Sequence, residues 1–177
     1  MTMSTSRLSP LGRRPRAAAR RAAAGAIGQR DTVHDDRWPA ILAALAALRD
    51  AGRYSVRIVD ADCGAGGLLL AALRHARTLG FTAIEGRGID GAPSLVARAT
   101  AAAARLRDPA IGVTVELGDL VTALADEADL PADIILFHRI PVCADRAAVA
   151  EAVTAAGRLV ILDAGRAAVP PTLGVAA

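Results

Sequence analysis

Lysine is absent from this chain, and all 21 basic residues are arginine. That removes any phosphate-binding loop built on lysine and any Tyr-x-x-x-Lys pair. Aromatic residues make up only 2% of a chain that is 53% hydrophobic. A core must therefore come from Ala, Val, Leu and Ile, a mixture that favours helices packed on a buried sheet. The two cysteines, Cys63 and Cys143, have no CxxC spacing and do not cluster with His34, His75 or His138. Neither a disulfide framework nor a zinc or other metal site is indicated, and this usage suits a reducing cytoplasm. No stretch approaches about 18 apolar residues without a charge, so no membrane span is expected.

The charge is divided unevenly. Residues 1–30 hold seven Arg and no acid, while the rest of the chain holds 14 Arg against 18 acids. A body of negative sign offers no basic face to a phosphate backbone, which leaves the tail as the only source of nucleic-acid affinity. Residues 1–33 read as a disordered, Arg-rich tail. Their composition is that of an organelle transit peptide, but no apolar region follows Arg13-Arg14, which argues against twin-arginine export. The length fits one domain. It is placed at residues 34–163, with 164–177 as a C-terminal tail.

Within that domain the first element is an amphipathic helix over 39–51, where Trp38, Ile41, Leu42, Leu45 and Leu48 recur at helical spacing. Asp35 and Asp36 precede it, Pro39 lies in its first turn and Gly52 follows its end, as start and stop signals should. A short β-branched run ends at Asp60 and is followed at once by the turn Asp62-Cys63-Gly64-Ala65-Gly66-Gly67 and a helix over 68–79. The pattern then repeats, with strands over 82–90, 113–117, 133–138 and 157–163 and helices between them. The second strand is weakened by Gly86 and Gly88. Strands that alternate with helices need crossover connections, hence a doubly wound, mainly parallel α/β sheet of about five strands.

In such a sheet a ligand binds beyond the carboxyl ends of the strands, where the strand order reverses. Asp60, Asp90 and Asp119 follow the first three strands. A glycine turn admits close backbone approach, an acid after the second strand can accept both ribose hydroxyls, and an acid after the third can meet the exocyclic amine of a base. Together they describe an adenosine site.

The run Ile58-Val59-Asp60-Ala61-Asp62-Cys63-Gly64-Ala65-Gly66 resembles the first motif of the Rossmann-like (class I) S-adenosylmethionine-dependent methyltransferases, an acid followed by GxGxG. The resemblance covers residues 54–163. It implies S-adenosylmethionine as cofactor, held by Asp60 to Gly64 and Gly66, by Asp90 and Gly91 around the ribose, and by Asp119 and Leu120 beside the adenine. The fourth strand would face the methyl group and the acceptor, which makes His138 a candidate base or orienting group and Arg139 a candidate anchor for an acidic substrate. Phe137-His138-Arg139-Ile140-Pro141 stands where amide and base N-methyltransferases carry Asn-Pro-Pro-Tyr, which argues against those substrates. Two departures matter. Asp62 replaces the first glycine of the motif, and only 14 residues follow Asp163, too few for the family's C-terminal antiparallel hairpin. The fifth strand is then an exposed edge suited to a homodimer or partner protein. A methyltransferase-like binding or regulatory subunit without turnover stays open as an alternative. A nicotinamide-dependent oxidoreductase would need glycine where Leu69 stands.

Overall fold

The computed structural model describes residues 34–138 and 146–163. Helix α1 (Trp38–Asp50) leads into strand β1 (Ser55–Ala61), helix α2 (Gly67–Thr78), strand β2 (Ala83–Asp90), helix α3 (Pro93–Ala103) and strand β3 (Ile111–Leu117). Helix α4 (Leu120–Ala125), strand β4 (Ala132–Phe137), helix α5 (Arg146–Ala156) and strand β5 (Gly157–Leu162) follow. The five strands form one sheet in the order β3-β2-β1-β4-β5, and every pairing is parallel. This is the expected Rossmann-like, doubly wound sheet. Its order reverses between β1 and β4, which places the topological switch at the carboxyl ends of those two strands.

The apolar runs in β1 and β4 have partners on both sides. Ile58, Ile84, Ile134, Leu136 and Ile161 face α1 and α2, where Ile41, Leu45, Leu69 and Leu73 are buried. Val59, Ile89, Ile135 and Phe137 face α4 and α5 through Leu124, Val149 and Val153. Burial of both faces explains why these strands read as continuous aliphatic runs rather than as alternation.

Charges that look isolated along the chain are gathered by the fold. Glu127, 1% exposed, receives Arg57 and Arg87 from neighbouring strands, and Arg87 also pairs with Glu116 at 2.8 Å. The expected acidic start of α1 takes another form. Its N-cap is Arg37, which makes no side-chain cap, while Asp35 accepts from the Arg37 backbone N–H and chelates its guanidinium at 2.9 Å on both sides. A carboxylate within reach of a guanidinium fork gains two charge-assisted bonds, which outweigh a single cap.

Among the described residues, no helix is long and apolar enough to cross a membrane. The Arg-rich tail, Arg139, Cys143 and the segment where the family hairpin would stand lie outside the described residues.

Candidate functional site

The turn between β1 and α2 is bent three times into left-handed backbone. Asp62, Gly64 and Gly66 have φ of 73°, 57° and 78°, and Asp62 is the only non-glycine with positive φ among the described residues. The backbone N–H groups of Asp62 and Cys63 both donate to Ile89 O at 2.9 Å, tying the turn to the end of β2. The two motif glycines serve different ends. A Cβ on Gly66 would sit 3.1 Å from Ala99 Cβ, so this glycine lets α2 and α3 pack together. A Cβ on Gly64 would meet nothing within 4 Å, so its bare backbone borders open space at the rim.

Asp90 holds this arrangement from β2. Its carboxylate accepts from Gly64 N and from Ala92 N, each at 2.8 Å, and the residue is 4% exposed. Asp60, 2% exposed at the end of β1, has a buried Oδ1 with no hydrogen-bond partner. Burial pushes its carboxyl up to about 7, against the Arg37 charge that faces it and with help from Asp62, Asp35 and Asp90. Arg37, 6% exposed, reaches over the rim from the start of α1 and has its own unpartnered buried atom, Nη1. Buried polar atoms are rarely left unpaired, and two of opposite charge on facing residues point to an occupant.

Asp62 is exposed rather than plugging the rim. Partial burial, then the Asp90 carboxylate, raise its pKa above the usual range, while His138 and Arg37 pull the other way. The Cys63 thiol packs back on β2, where it would lie 2.9 Å from a Cβ on Gly88, and burial pushes it up to about 12. It is a packing group rather than a nucleophile. Ala61 belongs to the core, Gly91 is exposed, and Leu120 packs on the α4 side. Asp119 is exposed and caps α4, accepting from Thr122 N at 3.0 Å and Thr122 Oγ1 at 3.1 Å, bonds that lower its pKa. His138 stands at the end of β4, its Nδ1 3.2 Å from Asp163 Oδ2.

Asp60, Asp62, Asp90 and His138 therefore converge on one rim, with Asp119 at its outer side. Sequence reasoning missed Asp35, Arg37 and Asp163. Asp163 obeys the rule that found the others, an acid directly after a strand. Arg37 had no such signal, because its role depends on α1 packing on the sheet face so that its first residues reach the rim. A cavity of about 430 Å³ lies at the opposite, amino ends of β1 and β2, lined by Arg57, Glu85 and Asp133 among others. Those charges are paired with one another or with neighbours, so nothing there awaits a ligand.

No protein-family model and no curated protein matches the chain. Among solved structures it is similar to magnesium protoporphyrin IX methyltransferase from Synechocystis with bound SAM, at 19% identity and TM-score 0.49, covering 75% of this chain and 60% of that one. Against the same enzyme with bound SAH the chain spans about half of its length, 52%. It is also similar to a candidate methyltransferase, yhhF, from Escherichia coli, at 16% identity and TM-score 0.49, covering 72% and 73% of the two chains. A third is a candidate S-adenosylmethionine-dependent methyltransferase from Methanococcus maripaludis, at 18% identity and TM-score 0.45, covering 69% and 54%.

Proposed function

We propose that the carboxyl rim of this sheet binds S-adenosylmethionine and that the chain is a methyltransferase. The observation that carries the reading is the pair of buried, unpartnered atoms Asp60 Oδ1 and Arg37 Nη1 beside the Gly64 turn. An amino-acid head group presents an ammonium and a carboxylate together and would satisfy both. An unsatisfied buried polar group costs about 1–3 kcal/mol, so one ligand relieves two such costs at once. The order of motifs along the chain supports the same cofactor.

Asp90 has lone pairs left beyond its two backbone bonds and can accept ribose hydroxyls through them. Asp119, Leu120 and Gly91 would border the outer part of the ligand. When bound, the cofactor supplies a methyl carbon activated by a sulfonium. The chain's own residues then hold and align: Asp62 places a carboxylate near positive charge, and His138 stands where an acceptor would approach. Leu69 of α2, 1% exposed and packed on Gly88 of β2, occupies the position where a dinucleotide fingerprint would need glycine. A binding subunit without turnover is the second reading, favoured by the charged, left-handed Asp62 in place of the motif's first glycine.

Calorimetric titration with S-adenosylmethionine, S-adenosylhomocysteine and NAD tests the reading. The first two should bind and NAD should not, and Arg37→Ala should weaken binding by roughly tenfold or more. Absence of binding by both sulfur nucleosides, or binding of NAD alone, would overturn it. Binding without transfer of a labelled methyl group to any acceptor fraction would favour the second reading.

A further inference from the structure

His138 and Asp163 end neighbouring parallel strands. Phe137 and Leu162 are partners in register, so the residues that follow them leave the sheet at one level. Their side chains meet there, Nδ1 of His138 being 3.2 Å from Oδ2 of Asp163. Strand pairing sets this contact, and it occupies only one ring nitrogen. The imidazole is 47% exposed while Asp163 is 25% exposed, so the carboxylate backs the ring and the ring faces the rim.

Two further carboxylates face His138. Asp62 faces it from the glycine turn and Asp35 from the segment ahead of α1. The Arg37 charge acts on Asp163 and Asp60. The carboxylates of Asp35, Asp62 and Asp163 border this spot and repel an anionic acceptor.

We propose that His138 and Asp163 form the base dyad on the acceptor side of the rim: Asp163 accepts the Nδ1–H, and the free Nε2 takes the proton of a neutral or cationic acceptor, an amine fitting best. The role rests on the methyltransferase reading. As the acceptor nitrogen gains the methyl carbon, the carbon–sulfur bond breaks and leaves its electron pair on sulfur, so that the sulfonium becomes a thioether. The proton lost from nitrogen passes to Nε2, and the imidazolium is held against Asp163 until water removes it. Asp163 touches no substrate and is a positioning residue. The known consequence of removing the carboxylate from such a pair is the wrong imidazole tautomer, with geometry intact.

Nitrogen-15 NMR of the imidazole rings in the full-length protein reads that tautomer directly, and His138→Gln identifies the resonance. His138 should carry its proton on Nδ1 when neutral. Asp163→Ala should move the proton population towards Nε2, and Asp163→Glu should restore it. Titration of the same samples with S-adenosylhomocysteine reads cofactor binding separately, and the wild type should bind it. A neutral His138 protonated on Nε2 in the wild type, or a tautomer indifferent to Asp163→Ala, would overturn the dyad. Failure of the wild type to bind S-adenosylhomocysteine would instead overturn the methyltransferase reading, and the base role with it, even with the expected tautomer in place.

Discussion

Asp60 is sealed at the end of β1, and burial pushes its carboxyl up to about 7 from an ordinary value of 3.8. Between those two values the folded chain holds a proton that the unfolded chain has released. Stability therefore falls as pH rises through this window, by about 4 kcal/mol at most, and is level above it. Asp60→Asn should abolish this dependence and make the variant more stable than wild type at pH 8, while leaving them similar near pH 4; urea unfolding at several pH values measures both. A wild-type curve that is flat between pH 4 and 7 would contradict the burial of this charge. Asp62 sits beside it with φ of 73° and raises the same carboxyl. Left-handed backbone costs a non-glycine about 1–2 kcal/mol, while glycine loses about 0.4–1 kcal/mol of that through the freedom of the unfolded chain. Asp62→Gly, with a like charge also removed, should thus gain about 1 kcal/mol in the same measurement. At this scale the sequence named the carboxylates that follow the first three strands but neither Asp163, which obeys the same rule, nor Arg37, because only folding brings that guanidinium opposite Asp60.

The second strand was a weak element to read, since Gly86 and Gly88 break its β-branched pattern. The structure supplies the reason for both. Leu73 of α2 would come within 2.5 Å of a Cβ on Gly86, and Cys63 Sγ within 2.9 Å of a Cβ on Gly88. The glycines give up strand propensity so that helix and turn can lie directly on the backbone. Because Cys63 belongs to the bend at residues 62–66, a methyl group on β2 acts on the candidate site through packing. Gly88→Ala should cost about 1–3 kcal/mol as overpacking. Cys63→Ala removes the nearest atom, so the double variant should recover part of that loss, which a double-mutant cycle would register as a coupling of about 1 kcal/mol. Strict additivity would show that the β2–turn contact is slack. Element order and type were otherwise legible from periodicity and from Gly and Pro punctuation, with most ends shifted by one residue, β3 beginning two residues early, and α3 and α4 ending several residues short. The bracing of the turn by Asp90 was not, because backbone N–H partners leave no mark on a sequence.

At the scale of the molecule, parallel pairing and helices on both faces followed from alternation of strands and helices alone, and that architecture decides which edge carries the candidate site. The same edge gathers Asp35, Asp60, Asp62 and Asp163 around Arg37, with Asp90 beside Asp60 and Asp62, so ligand binding and protonation are coupled there. A ligand ammonium beside Asp60 favours its ionised form and must displace a proton below pH 7, the value to which burial raises that group. Affinity for S-adenosylhomocysteine should then improve about tenfold per pH unit up to that value and level off above it. The protein's melting temperature reports this without any acceptor. Ligand at about 100 times its dissociation constant adds about 2.7 kcal/mol, which for a domain of this size raises the midpoint by roughly 10 °C. At a fixed ligand concentration chosen for pH 8, the rise should be smaller at pH 6, and in Asp60→Asn the difference between the two pH values should vanish. A rise that is equal at both pH values in the wild type would place the ammonium away from Asp60 and remove the main support for this orientation of the ligand.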